Sequence, residues 1–254
     1  MNTINKPRIV IVTGVSQGIG FSICKTFLNN GDIVIGCACE PNNKNIQDLQ
    51  KKHEENFSYY VVDVSKANEI ISFIDCIKEK HQHIDILISN AGRNIFKGID
   101  CDEEDWDHNF DLNLKSHWRM AKAAKPLLEV NNGVIIIITS NHAYYTLPEC
   151  SPYNISKGAL LSLVQSLMLN WGPKIRTVGI APGFIDTEGN QTYFNSFDDP
   201  NKARQDIEEK HCVKRIGKPE EIGKLCLFLS SDDAGFIAGT TILIDGGRST
   251  IMQD

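Results

Sequence analysis

The sequence predicts a single α/β domain, doubly wound around a mostly parallel sheet. Three observations predict it. Short β-branched runs such as Ile9-Val10-Ile11-Val12 carry no polar alternation, as expected of strands buried on both faces. Segments with apolar residues at helical spacing separate these runs, the alternation that produces a parallel sheet covered by helices. No composition shift or long polar linker divides the chain, so residues 1–254 read as one domain.

The elements follow in order. A strand over 9–12 leads through Gly14, Gly18 and Gly20 into a helix marked by Phe21, Cys24, Phe27 and Leu28. Asn29-Asn30-Gly31 stops that helix, and a second strand runs over 33–35. Residues 59–62 form a third, followed by a helical stripe of Ile70, Ile71, Ile74 and Ile77. Strands over 84–88 and 135–138 flank a long helical segment, 103–128, whose pattern suggests an interruption. Its acidic run around Trp106 suits helix initiation. Residues 160–169 continue a helix that ends at Trp171-Gly172-Pro173, and a strand covers 175–180. Pro219 followed by Glu220 and Glu221 starts another helix, with Ile222, Leu225 and Leu229 as its apolar face. Residues 240–244 make the last strand.

The least regular stretch is 186–212, with Asp198-Asp199-Pro200 and several aromatic residues before a charged helical segment. A long irregular excursion after a Pro-Gly turn, on the ligand side of such a sheet, is expected to act as a lid or substrate loop over 186–215.

Composition narrows the function. The 254 residues carry 26 Lys and Arg against 32 Asp and Glu, a formal charge of -6. That balance argues against a nucleic-acid-binding surface. The eight cysteines are scattered, and Cys37 and Cys39 lack the second pair or nearby histidine of a zinc site. Neither a metal site nor a disulfide framework is expected. The N-terminus has no secretory pattern, and no apolar run reaches membrane-spanning length. A cytoplasmic protein, free of the membrane, is the expectation.

The glycine turn makes the first specific functional claim. Gly14-Val15-Ser16-Gln17-Gly18-Ile19-Gly20 joins a strand to a helix. Gly14 permits the tight turn, Gly18 close approach of a pyrophosphate, and Gly20 close packing of helix on strand. The helix N-terminus offers unpaired N–H groups to the phosphates, so a dinucleotide is expected here. The second claim rests on Tyr153 and Lys157, four apart and therefore on one helical face. A tyrosine hydroxyl near pKa 10 is a poor base at neutral pH. An adjacent ammonium favours its phenolate, so Tyr153 suits proton exchange with a substrate oxygen. Ser140, at a strand end, is suited to hold that oxygen.

The glycine spacing, taken together with later segments, resembles the short-chain dehydrogenase/reductase family. Ser89-Asn90-Ala91-Gly92 is similar to that family's Asn-Asn-Ala-Gly segment, with serine in first place. Leu112-Asn113-Leu114, Ser140, the Tyr153-x-x-x-Lys157 pair, Pro182-Gly183-Phe184-Ile185-Asp186-Thr187 and Asp245-Gly246-Gly247 follow in the family's order over residues 8–247. The resemblance implies a seven-stranded Rossmann sheet and a nicotinamide cofactor. It implies catalysis by Asn113, Ser140, Tyr153 and Lys157, with Asn113 in a water-linked proton relay and Lys157 also holding the nicotinamide ribose. It places Asp63 and Val64 near the adenine and Asn90, with Ala91 and Gly92, near the adenosine ribose. Pro182, Gly183, Ile185 and Thr187 fall near the carboxamide. Self-association as a homotetramer or homodimer is also implied.

Cofactor choice is read after the second strand. Neither the aspartate common in NAD-preferring relatives nor the arginine common in NADP-preferring ones is present. Glu40 lies about twenty residues past the turn, the offset of a ribose ligand, and no Lys or Arg occurs between Lys25 and Lys44. NAD(H) is therefore favoured over NADP(H). The expected substrate wall combines Asn94, Ser140, His142, Tyr145, Leu147, Cys150, Tyr153 and Tyr193. His142 suits either a substrate hydroxyl or carboxylate or a purely structural place, and Tyr193, Phe194 and Phe197 suit either a substrate cover or anchors for the loop. The expected reaction interconverts a small secondary alcohol and its ketone. An epimerase or dehydratase using transient oxidation, and a nicotinamide-sensing binding protein without turnover, are the alternatives.

Overall fold

A computed structural model describes residues 6–250. Its sheet has seven strands in the order β3-β2-β1-β4-β5-β6-β7, every pairing parallel. The strands are β1 (Ile9–Thr13), β2 (Ile33–Ala38), β3 (Phe57–Val61), β4 (Ile86–Ser89), β5 (Val134–Ile138), β6 (Arg176–Pro182) and β7 (Thr241–Ile244). The chain order reverses between β1 and β4, and ligands of such sheets bind at that crevice beyond the strand C-termini.

The unbroken aliphatic runs are explained by two cores, one on each face. Ile9, Ile11, Ile135 and Ile137 pack on one side; Val10, Val12, Ile136 and Ile138 pack on the other. Side chains alternate across the pleat, so only a strand apolar at every position satisfies both layers. On the second face lie α1 (Gly18–Asn29) and α9 (Pro219–Leu229). α3 (Ala67–Lys80), α5 (Ser116–Leu128) and α6 (Tyr153–Trp171) cover the first.

Several expectations need correction. A nine-residue helix, α2 (Lys44–Lys52), stands between β2 and β3, where no helix was expected. Its signals are the Asn43 cap, whose Oδ1 accepts from Ile46 N at 3.0 Å, and buried Ile46 and Leu49. β3 begins at Phe57, two residues before the expected start, because Phe57 fills the second core. β2 ends at Ala38, so Cys37 is buried in the strand while Cys39 lies beyond it, exposed. The helix that 160–169 continues begins at Tyr153, so Tyr153 and Lys157 share its first turns as their spacing requires. The 186–212 stretch is more regular than expected. It contains α7 (Glu188–Phe194) and α8 (Pro200–Glu209), capped by Thr187 and Asp199.

The interruption expected within 103–128 is real. α4 (Glu103–Phe110), capped by Asp102, passes into a π-helical turn at Asp111–Lys115 before α5 begins. Such turns are rare and concentrate at functional sites. Asn113 sits inside this one.

Candidate active site

The glycine turn closes over the C-terminal end of β1. Gly14 and Gly18 have φ of +72° and +58°, conformations that cost an L side chain energy and glycine little. At Gly14 a Cβ would also lie 3.0 Å from Ala91 Cα, so the turn and the β4 segment fit only with glycine there. At Gly20 an added Cβ would collide with the Gly14 carbonyl, which is why helix and strand pack so closely. Thr13 Oγ1 accepts from both Asn90 N and Ala91 N at 2.9 Å, and Asn90 Nδ2 donates to Thr13 O at 2.9 Å. The Asn90 carboxamide thus locks the two loops together.

The N-terminus of α1 already holds an anion. Gly18 N donates to Glu188 Oε2 at 3.0 Å, as a helix N-terminus with free N–H groups favours. At the edge of the turn Ser16 Oγ donates to Glu40 Oε2 at 2.9 Å, and Asn43 Nδ2 donates to Ser16 O at 3.0 Å. Asp63 Oδ1 accepts from Ser65 N and Ser65 Oγ. Burial opposes its charge, but these bonds and Lys66 hold its carboxyl below the ordinary range. Val64 is buried behind it. An anion-accepting helix start, a turn with no room for a Cβ at Gly14 or Gly20 and an acid at the end of β2 fit a dinucleotide.

Beyond β5 the reactive side chains converge. Ser140 caps a single 3-10 turn, Asn141–Ala143, by accepting from His142 N at 3.2 Å. Tyr153 and Lys157 lie one turn apart on α6, both buried. Lys157 Nζ donates to Ile138 O at 3.2 Å and stands 5.7 Å from the centre of the Tyr153 ring. Burial pushes the Tyr153 phenol up to about 12, and the Ser140 side chain pulls it partly back. Burial also lowers the Lys157 ammonium to about 7. Spacing alone predicts attraction between the Lys157 ammonium and a Tyr153 phenolate. In the folded chain, desolvation of both groups outweighs it and favours their neutral forms.

Asn113 is fully buried. Its Oδ1 accepts from Arg93 N at 2.9 Å, and its Nδ2 donates to Arg93 O at 2.9 Å and to Asn109 Oδ1 at 2.7 Å. Asn109 Nδ2 in turn donates to Pro152 O at 3.1 Å. The π-helical turn is thereby bonded to the residue preceding Tyr153. A Cβ on Gly92 would sit 2.8 Å from Asn113 Oδ1 and 3.2 Å from Lys157 Nζ, so these two groups approach each other across Gly92.

Not every expected wall residue joins the cluster. The His142 and Tyr153 rings lie 6.0 Å apart, and Cys150 is buried just before α6. Tyr145, Leu147 and Asn94 are exposed on the surrounding loops. Phe96 was missed by sequence reasoning. Its ring stands 5.3 Å from Tyr153 and 5.7 Å from His142, completing an aromatic trio. Asn109 was missed too, because an asparagine in an acidic, exposed-looking helix carries no signal of burial.

The Pro182-Gly183 turn packs against Asp245: a Cβ on Gly183 would be 2.6 Å from Asp245 Cβ. Ile185 is buried beside it. Thr187 opens α7, and a Cβ on Gly18 would touch its Cγ2 at 3.4 Å. In the lid segment Phe194 packs with Ile207 and Ile216, while Tyr193 and Phe197 stay half-exposed, their rings 5.0 Å apart. Phe194 therefore anchors the segment, while the Tyr193 ring stays partly accessible. Asp186 Oδ2 and Arg204 Nη2, 2.6 Å apart, tie the segment's first residue to α8.

Comparison with known proteins agrees with this geometry. The family model described as enoyl-(acyl carrier protein) reductase matches residues 14–249. Dehydrogenase/reductase SDR family member 4 of Mus musculus is 35% identical over 247 residues, covering 94% of this chain and 86% of its own. Aldohexose dehydrogenase of Thermoplasma acidophilum superposes with a TM-score of 0.90 at 28% identity, covering 98% of this chain and 96% of its own. An apo SCOR enzyme of Clostridium thermocellum superposes at 0.85 with 32% identity, covering 98% and 96%. Among the described residues no helix is long and apolar enough to cross a membrane. With this agreement along its whole length, the chain belongs to the short-chain dehydrogenase/reductase family and is an NAD(P)-dependent oxidoreductase of that family.

Proposed function

We propose that the protein interconverts a secondary alcohol and its ketone, with Tyr153 exchanging the proton of the reacting oxygen. The observation that carries this reading is the buried convergence of Ser140, Tyr153 and Lys157 at the C-terminal end of β5. The nicotinamide, when bound, supplies hydride acceptance or donation. The chain's own residues supply the rest. The glycine turn from Gly14 to Gly20 and the segment Asn90–Gly92 hold the dinucleotide. Ile185 and Thr187 close over its far end, together with Pro182 and Gly183.

Ser140 fixes the substrate oxygen by hydrogen bonding, which lowers the cost of orienting it. In the reducing direction Tyr153 is ready as it stands, since burial keeps its proton on. In the oxidising direction it must first lose its own proton against that burial, and a cationic Lys157 one turn away stabilises the phenolate that then takes the alcohol's proton. A lysine near pKa 7 holds and releases a proton at neutral pH, which also suits it to a relay. Asn113 serves that relay by position. Its carboxamide is committed to Arg93 and Asn109, so it holds the π-turn in place beside Lys157.

Glu40 supports NAD(H) over NADP(H). Its carboxylate is bonded to Ser16, where a ribose hydroxyl would be an acceptable neighbour and a 2′-phosphate a repelled one. The segment 186–215 serves as the lid, with Tyr193 toward the substrate. Half-exposed Phe228 and fully exposed Phe236 support burial of exposed aromatic surface in a dimer or tetramer. Eight cysteines without a disulfide suit a reducing, cytoplasmic setting.

The test is stoichiometric. Purified protein with NAD+ and a panel of secondary alcohols is expected to yield one reduced nicotinamide per ketone formed. Epimerised or dehydrated product without net nicotinamide reduction would overturn the reading.

A further inference from the structure

Beyond β7 the chain places a cation that this mechanism does not use. Asp245, Gly246 and Gly247 turn the backbone, both glycines at positive φ, into one 3-10 turn, Arg248–Thr250. Asp245 is the acid nearest in sequence, but its carboxylate is spent on the turn. Oδ1 accepts from Gly247 N at 3.0 Å and Oδ2 from Ser249 N at 2.8 Å. Arg248 Nη1 is buried and has no hydrogen-bond partner among the described residues. Two more orphaned atoms accompany it: Ser249 Oγ, next in the chain, and His211 Nε2. The His211 ring packs on the same turn, since a Cβ on Gly246 would stand 3.5 Å from its Cδ2. Its Nδ1 is 2.8 Å from Ile207 O and so carries the proton.

Leaving a buried guanidinium N–H unpaired costs more than a neutral group would, and native proteins rarely accept it without a partner. The position says what partner. The turn follows the β7 end that pairs with Pro182, on the side of the sheet where Ser140 and Tyr153 lie. Burial and the Arg248 charge together hold the His142 imidazole below its usual range. A Cβ on Gly247 would stand 2.9 Å from Cys212 Cβ, so the turn that carries Arg248 packs on the C-terminal end of the lid segment, and its charge reaches the His142 wall, 6.0 Å from the Tyr153 ring.

We propose that Arg248 is a specificity residue that pairs with a carboxylate on the substrate, making the physiological substrate class small hydroxy acids and their oxo acids. The inference rests on the alcohol–ketone reading above. The redox step is unchanged by it: the carbinol carbon gives up a hydride to the oxidised nicotinamide, its hydroxyl gives up a proton, and the carboxylate stays intact.

The test compares wild type, Arg248→Met and Arg248→Lys on C4 to C6 hydroxy acids and on neutral secondary alcohols of the same length. Wild type is expected to prefer an acid at least about tenfold in kcat/KM, or 1.4 kcal/mol. Arg248→Met should lose that preference through KM while keeping its rate on neutral alcohols, and Arg248→Lys should restore part of it. In parallel, butyrate binding is followed by NMR with and without NADH, and Arg248→Met is expected to weaken it about tenfold. Equal use of acids and neutral alcohols by wild type, with butyrate binding absent or unaffected by the substitution, would overturn the assignment and leave the oxidoreductase reading standing. Failure to turn over any alcohol would instead count against that reading, and the butyrate measurement would still decide Arg248.

Discussion

The Ser16 hydroxyl donates to the Glu40 carboxylate at 2.9 Å, tying the glycine turn to the end of β2 and placing a negative charge at the cofactor's expected adenosine edge. The side chain that orders the turn therefore also discriminates between cofactors. Glu40→Arg is expected to move selectivity from NAD(H) toward NADP(H) by about tenfold or more, 1.4 kcal/mol for each factor of ten. Dissociation constants for the two reduced cofactors, read by fluorescence, check this. Wild type binding NADPH more tightly than NADH would contradict it.

Glu188 makes a second prediction. Its carboxylate accepts from Gly18 N at 3.0 Å, the N–H expected to meet the pyrophosphate. Two anions do not share that donor, so α7 must shift its first residue when cofactor binds. Glu188→Ala is expected to tighten NADH binding by about two- to tenfold, as a competing charge-assisted hydrogen bond is removed. Weaker binding in the variant would show that Glu188 supports the cofactor.

Lys157 gives a pH signature. Its folded pKa is lowered to about 7 from an unfolded value near 10.4. Between those values the unfolded chain binds more protons, so stability rises with pH. Below about 7 both states are protonated and the burial cost is fully present. Compared with Lys157→Met, wild type should recover about 2 kcal/mol between pH 7 and 9. Urea unfolding of both proteins measures the gap, and a gap constant over that range would refute the lowered pKa.

Asn109 is a positioning residue. Replacing it by alanine leaves Pro152 O with only the Ser156 N–H as donor and Asn113 Nδ2 short of one acceptor, and the buried N–H left unpaired costs about 1–3 kcal/mol. Because Pro152 precedes Tyr153, kcat should fall more than cofactor affinity does. Unchanged kcat in a folded Asn109→Ala protein would rule out the coupling.

What could be read in advance follows from how local each signal is. β1 and β5 announce themselves because burial on both faces demands an aliphatic residue at every position, as at Ile135 to Ile138. Gly14, Gly18, Tyr153 and Lys157 were legible because spacing alone places them. α2 was not foreseen, although Asn43, Ile46 and Leu49 carried its signature, because it is only nine residues long and mostly polar. The π-turn came through only as an interruption, since no residue preference encodes an extra residue in a turn. The roles of Phe96, Asn109 and Arg248 depend on partners far away in sequence. Arg248 stands out only once Asp245, three residues before it, is seen to spend its carboxylate on the backbone.

The central claim is that Tyr153 carries the transferable proton while the rest of the site holds the cofactor. Tyr153→Phe removes one hydroxyl and keeps the ring that packs beside Phe96 and His142. Turnover of that variant, measured alongside its NADH dissociation constant, is the most direct test. The expected result is a turnover lower by about one hundredfold to ten thousandfold, with NADH affinity within about threefold of wild type, under 1 kcal/mol. Wild-type turnover in Tyr153→Phe would contradict the account.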